Sequence, residues 1–168
     1  MTKLNQHKKL WIMAAALLLI VAAAAIIFYA AGHGRLILSN ASTGKVYAEY
    51  TVGDGDTFSV GFVHSVNKSP LIDYYTLKPD GIYVEKTVYY GFGAGVQTEL
   101  EDGQTLEYGD DGSMIVSGFD KRMDNLIYFV GTVSDHTLTI NDGEGISLRD
   151  LCGRNAEVRF SYQHFLRL

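Results

Sequence analysis

Cysteine is nearly missing from this chain. Cys152 stands alone, which excludes an intrachain disulfide and any multi-cysteine zinc cluster. The five histidines, His7, His33, His64, His136 and His164, show no close pairing, so ligand spacing predicts neither a metal site nor another cofactor. Asp and Glu are missing from everything before Glu49. The Gly-x-Ser-x-Gly elbow of serine hydrolases and the Gly-Lys-Ser/Thr ending of phosphate loops are also missing, and no catalytic signature takes their place. Beyond position 32, apolar residues almost never recur at the three-and-four spacing of an amphipathic helix.

What is there begins with charge-free sequence. Leu10 to Ala31 is a run of twenty-two residues without a charge, long enough to cross a bilayer as one helix. Lys3, His7, Lys8 and Lys9 precede it, so the positive-inside bias places residues 1–9 in the cytoplasm and the rest outside the cytoplasmic membrane. A cleaved signal peptide competes with this reading, but its apolar region spans only about 7 to 15 residues. The junction Phe28-Tyr29-Ala30-Ala31 also puts a bulky aromatic at minus three. The expected organisation is a cytoplasmic basic N-terminus at 1–9, a transmembrane signal anchor at 10–31, a short linker at 32–34 and one extracytoplasmic domain at 35–168. That outer part holds eleven of the fourteen Lys and Arg and all nineteen Asp and Glu, a formal charge of minus 8. So acidic a domain argues against nucleic acid or anionic lipid as a partner.

Period-two alternation replaces the helical pattern beyond the anchor. It predicts strands over Arg35 to Ser39, Lys45 to Val52, Thr57 to His64, Leu71 to Leu77, Ile82 to Tyr90, Thr105 to Tyr108, Met114 to Ser117, Leu126 to Val133, His136 to Ile140 and Glu157 to His164. Within Lys45 to Val52 the residues Val46, Ala48, Tyr50 and Val52 share one face. Lys78-Pro79-Asp80-Gly81, Asp110-Asp111-Gly112 and Asn141-Asp142-Gly143 supply turns. Ser147 to Cys152 reads as one helical turn capped by Ser147 and ended by Gly153. The expected fold is all-β, a single antiparallel sandwich or partly closed barrel behind one N-terminal transmembrane helix. Beyond the alanine-rich anchor there is no repeat or low-complexity tract.

The densest polar constellation is Thr57 to Tyr75. Alternation puts His64 on the face of Phe58, Val60 and Phe62, where a half-buried imidazole can accept a proton, contact a ligand or pin a turn. Ser65 and Asp73 complete the side-chain types of a hydrolase, but adjacent strand residues point to opposite faces, which separates Ser65 from His64. Gly91-Phe92-Gly93-Ala94-Gly95 follows an aromatic strand and suits either a bulge or an anion nest of backbone amides. The acidic turns lack calcium-loop spacing. The tyrosines Tyr74, Tyr75, Tyr83, Tyr89 and Tyr90 suit strand packing or a ligand groove.

His64-Ser65-Val66, Ser69-Pro70, Asp73-Tyr74 and the later Gly93-Ala94-Gly95 together resemble an uncharacterised domain-of-unknown-function family of small extracytoplasmic proteins. Its members carry an N-terminal anchor or signal, an HSV-x-x-x-P core and a glycine loop. The likeness covers roughly Leu36 to Glu99. Asp73 stands where Glu is common, and Val96-Gln97 where proline is frequent. Members are often encoded beside the fused membrane subunit of TRAP transporters and the TAXI type of solute-binding protein, so the resemblance implies transport by association. It carries His64, Ser65, Pro70, Asp73, Gly93 and Gly95 over as motif positions without roles.

Two functions follow as expectations. The first is a non-enzymatic accessory protein, docking onto a TRAP membrane subunit or a TAXI-type solute-binding protein through the His64 to Asp73 loop and the glycine loop. The second is a small organic anion site closed by His64, Lys68, Tyr75 and the amides of Gly93 to Gly95. A serine hydrolase using Ser65 ranks third.

Overall fold

A computed structural model describes residues 2–64, 68–91 and 99–166. It begins with α1 (Thr2–Gly32), whose portion from His7 to Gly32 is long and apolar enough to cross a membrane and buries none of its apolar window in the protein. A helix apolar on every side and exposed on every side suits lipid rather than a protein core. The helix runs straight into β1 (His33–Asn40). Gly32, His33 and Gly34, expected as a linker, therefore hold no loop. The ladder extends down to the helix because the Phe165 amide donates to the His33 carbonyl at 2.9 Å.

Ten further strands follow: β2 (Val46–Gly53), β3 (Thr57–Val63), β4 (Pro70–Lys78), β5 (Gly81–Tyr89), β6 (Thr105–Tyr108), β7 (Met114–Arg122), β8 (Leu126–Phe129), β9 (His136–Ile140), β10 (Ile146–Ser147) and β11 (Glu157–His164). They form two sheets, β2-β1-β11-β8 and β10-β9-β3-β4-β5-β7-β6. Every pairing is antiparallel. The arrangement is a sandwich rather than a barrel. Its core is built from inward rows on both sheets: Leu36, Leu38, Val158 and Phe160 face Phe58, Val60, Tyr75, Leu77 and Leu138. Phe58 sits at the centre, its ring stacked on Tyr75 at 4.9 Å and on Phe160 at 5.6 Å across the sheets. A second, smaller apolar cluster of Leu71, Tyr89, Met114 and Val116 lies farther along the large sheet.

Four local expectations are corrected. In β2 a bulge shifts the register against β1 between Leu38 and Ser39; Val46 turns out to solvent and Tyr47 packs inward, with Asn40 Nδ2 donating to its hydroxyl at 2.9 Å. The extra residue of a bulge inverts the alternation beyond it. Strand β8 ends at Phe129 instead of Val133, because Gly131 bends so closely on Ser134 that a Cβ would meet its carbonyl oxygen at 2.4 Å. Strand β7 runs on to Arg122, past Gly118 at φ +80°, through an irregularity against β5. The pair β10 was not foreseen at all. The short α2 (Leu148–Cys152) matches its expected cap, with the Asp150 amide donating to Ser147 Oγ at 3.0 Å. At Asn141-Asp142, φ values of +47° and +56° make the mirror-image turn of a tight hairpin.

Strand direction sorts the loops into two ends. His33 pairs with Gly53 and Gly34 with His164, so the helix leaves beside those residues. Asn40 with Val158 and Phe129 with Glu157 mark the opposite end of the small sheet. In the large sheet Thr57 and Thr76 lie toward the helix, and Val63 and Pro70 lie away from it.

Candidate functional site

The far end carries a groove between the β3–β4 connection and the β8–β9 loop. Two adjoining hollows of about 490 and 330 Å³ share Val63, His64, Val133 and Ser134; Lys68 and Asp135 line the first, Phe62, Phe129 and His136 the second. The rim is apolar and open: Val133 is 86% exposed, Phe129 65% and Val63 44%.

Both walls are held by backbone bonds and by side-chain bonds that are at most half-buried. On one side the His64 amide donates to the Ser69 carbonyl at 2.9 Å and the Lys68 amide to the His64 carbonyl at 3.0 Å, with Lys68 at φ +55°. On the other, Asp135 organises the loop. Its carboxylate accepts from the amides of His136 (2.7 Å) and Arg149 (3.0 Å) and from Ser147 Oγ (2.5 Å). Arg149 Nη2 donates to the Val133 carbonyl at 3.0 Å. Burial pushes the Asp135 carboxyl upward, but these donors and the Arg149 charge outweigh it and hold it below its ordinary value. A cross-wall bond, the Val63 amide to Ser134 Oγ at 3.0 Å, sets the groove's width.

Behind the groove lies a buried polar relay. His136, whose ring stacks on Phe62 at 4.6 Å, meets Tyr128 edge-on at 5.9 Å. Tyr128 reaches from β8 across the sandwich and donates to Asp73 Oδ2 at 2.6 Å. Having spent its one proton there, Tyr128 accepts from Tyr75, 2.6 Å away. Thr87 Oγ1 donates to Asp73 Oδ1 at 2.7 Å. Asp73 lies on the inward row of β4 between Leu71 and Tyr75, where the two apolar clusters meet. Burial raises its carboxyl above the ordinary range, and the Tyr128 and Thr87 bonds partly offset this. Burial and then the Asp73 charge keep both tyrosines protonated far beyond neutral pH. Burial lowers His136 below its ordinary value, so its ring is neutral at the groove floor.

Of the residues singled out from sequence, His64 and Lys68 line the groove, and Pro70 opens β4 beside it. Asp73 and Tyr75 lie beneath, in the relay. Ser65, Gly93 and Gly95 lie outside the described residues. The tyrosines divide: Tyr75 and Tyr89 are buried, Tyr74 lies under Lys86 Nζ at 4.7 Å, and Tyr83 bonds Asp80 at 2.9 Å. Sequence reasoning missed Thr87, Tyr128, Val133, Asp135 and His136. Counting back from the Lys78–Gly81 pair sets Lys86 opposite Asp73; a bulge past Tyr74 brings Thr87 there instead. Tyr128 had a usable signal, since alternation places it inward with Leu126. Among the described residues no three His, Cys, Asp or Glu side chains converge as a metal site would require. Cys152 is half-buried, and burial pushes its thiol up to about 11, which leaves little thiolate at neutral pH.

The family described as domain of unknown function (DUF1850) matches residues 58–146, a span from the second residue of β3 to the first of β10 that takes in the lining of the groove and the whole relay. No curated protein and no solved structure matches the chain.

Proposed function

The chain belongs to the DUF1850 family, and on that premise we propose that it is a membrane-anchored extracytoplasmic accessory protein whose distal groove docks a component of a TRAP/TAXI-type solute transporter. The apolar rim carries this reading. Val63, Phe129 and Val133 expose large apolar side chains along one groove, and clustered exposed apolar surface marks interaction sites. The helix supplies the anchor, and the lysines before it set the N-terminus inside. Anchoring raises the effective concentration at a membrane-bound partner, so a modest interface suffices. The groove stands about 20 Å from the helix exit, the length of a seven-residue strand such as β3. That height suits the solute-binding protein, or an extramembrane loop, better than the bilayer-embedded part of a membrane subunit.

The test is a photo-crosslinking residue at Val133 in the full-length protein in native membranes. The expected product is a crosslink to the solute-binding protein or the transporter subunit, lost on adding Val133→Asp or Phe129→Asp beside a probe at Lys68. Crosslinks to itself alone, in membranes that contain the transporter, would sink the reading.

A second reading rests on the larger hollow, about 490 Å³ with His64 and Lys68 in its lining, a size that suits a small organic anion. A carboxylate that raises the melting temperature of the wild type, but not of a folded His64→Ala variant, would favour it over docking.

A further inference from the structure

We propose that the C-terminal segment Phe165-Leu166 is a second membrane contact, an interfacial foot that seats the outer domain on the lipid headgroups beside α1. The inference rests on α1 being a retained anchor. Twenty-two uncharged residues at 1.5 Å rise span roughly 33 Å, against about 30 Å of hydrocarbon. The last turn, Phe28 to Ala31, therefore lies at the outer hydrocarbon boundary.

The outer domain is bonded to that turn. The last four carbonyls of a helix have no partner within it, and here the domain and the strand junction cap three of them. His33 Nδ1 lies 2.9 Å from the Tyr29 carbonyl, the Leu166 amide donates to Ala30 at 3.3 Å, and the Asp54 amide donates to Gly32 at 2.9 Å. Because Leu166 bonds a carbonyl at the hydrocarbon boundary, it and Phe165 share that depth. Both side chains are open, at 41% for Phe165 and 37% for Leu166. In water this would be two bulky apolar side chains exposed together; at the headgroup boundary they have acyl chains to cover them. Arg35 reinforces the placement: its guanidinium lies 5.3 Å from the Phe165 ring centroid and 3.1 Å from the Glu49 carboxylate. It thus lies just above the ring, at headgroup height, where long cationic side chains settle. The foot and the three capped carbonyls hold the sandwich upright, with the groove directed away from the bilayer.

Trp11, second residue of the uncharged run in α1, is the chain's one tryptophan, which makes depth measurable. The full-length protein is reconstituted in phosphatidylcholine vesicles brominated either near the acyl carbonyl or at mid-chain. Native Trp11 reports the anchor; in a Trp11→Phe background, Phe165→Trp and Leu166→Trp report the foot, and Tyr108→Trp, on an exposed side chain at the far end, reports background. The expected result is quenching of Trp11, and emission from Phe165→Trp and Leu166→Trp halved by carbonyl-side bromine while Tyr108→Trp is unaffected. If Trp11 is quenched and both foot variants behave like Tyr108→Trp, the foot is wrong and the anchor stands. If Trp11 itself is unquenched, the anchor reading falls and the foot with it.

Discussion

At the scale of single residues, the carboxylate of Asp73 is a costly feature, placed between two apolar clusters and held by the hydroxyls of Tyr128 and Thr87. A buried charge raises its own pKa, so the folded state binds a proton that the unfolded chain releases. Asp73 therefore favours folding most below 3.8, its ordinary value, and that contribution is lost as pH rises through the raised native value. Asp73→Asn should remove this loss, so the variant gains on the wild type as pH rises across that window, in thermal melts of the full-length protein in mild detergent. Parallel curves would contradict it. His136 has the opposite sign. Its native pKa is lowered from 6.5, so its contribution is present above 6.5 and lost as pH falls through the lowered value. Tyr128→Phe takes a donor from the buried carboxylate and should cost about 1.5–3 kcal/mol at neutral pH. In a double-mutant cycle with Asp73→Asn the two losses should not add, because they share one bond.

At the scale of elements, bulges decide what the relay is made of. The irregularity in the β4–β5 hairpin brings Thr87 opposite Asp73, and the bulge in β2 turns Tyr47 inward. Close strand approach matters as much. A Cβ on Gly34 would meet the Gln163 carbonyl oxygen at 2.2 Å, whereas one on Gly61 would touch Ile72 at an ordinary 3.4 Å. Gly34→Ala should force β1 from β11 and cost about 3 kcal/mol, a typical penalty for overpacking. Gly61→Ala should fall within about 1 kcal/mol of the wild type, as for a substitution without a named clash. Equal melting temperatures for the two variants would mean that β1 and β11 are farther apart than described. The consequence reaches α1, since His33 on β1 and Leu166 just past β11 cap two of its carbonyls.

At the scale of the whole molecule, one apolar helix and one acidic sandwich divide the work. The helix buries none of its apolar window in the protein and meets the sandwich only at its last turn, and the sandwich needs none of it for its core. If the helix is an anchor, the protein stays in the membrane fraction after alkaline carbonate washing and keeps its full mass of 18.5 kDa. A shortened chain released to the soluble fraction would identify the helix as a cleaved signal. The long axis of the sandwich separates two chemistries: helix capping and the exposed Phe165 and Leu166 at one end, an apolar-rimmed groove with a neutral histidine floor at the other.

The amino-acid sequence by itself determined the pieces whose physics is local. Twenty-two uncharged residues make a membrane-length helix whatever surrounds them, alternation of period two makes strands, and Asn141-Asp142-Gly143 and the Ser147 cap act within a few residues of themselves. Strand edges were legible to within a few residues except where an irregularity or a glycine bend intervened, at β7 and β8, while at β2 the bulge changed the inward face and not the edges. Of the site, His64, Lys68, Asp73 and Tyr75 were legible because they crowd into one polar stretch. Only the tertiary structure decided which of them face a groove and which lie beneath it, and it alone brought Tyr128 to Asp73, fifty-five residues away in the chain. Cross-sheet pairing depends on register and on how two sheets stack, and neither leaves a periodic trace in one strand's sequence.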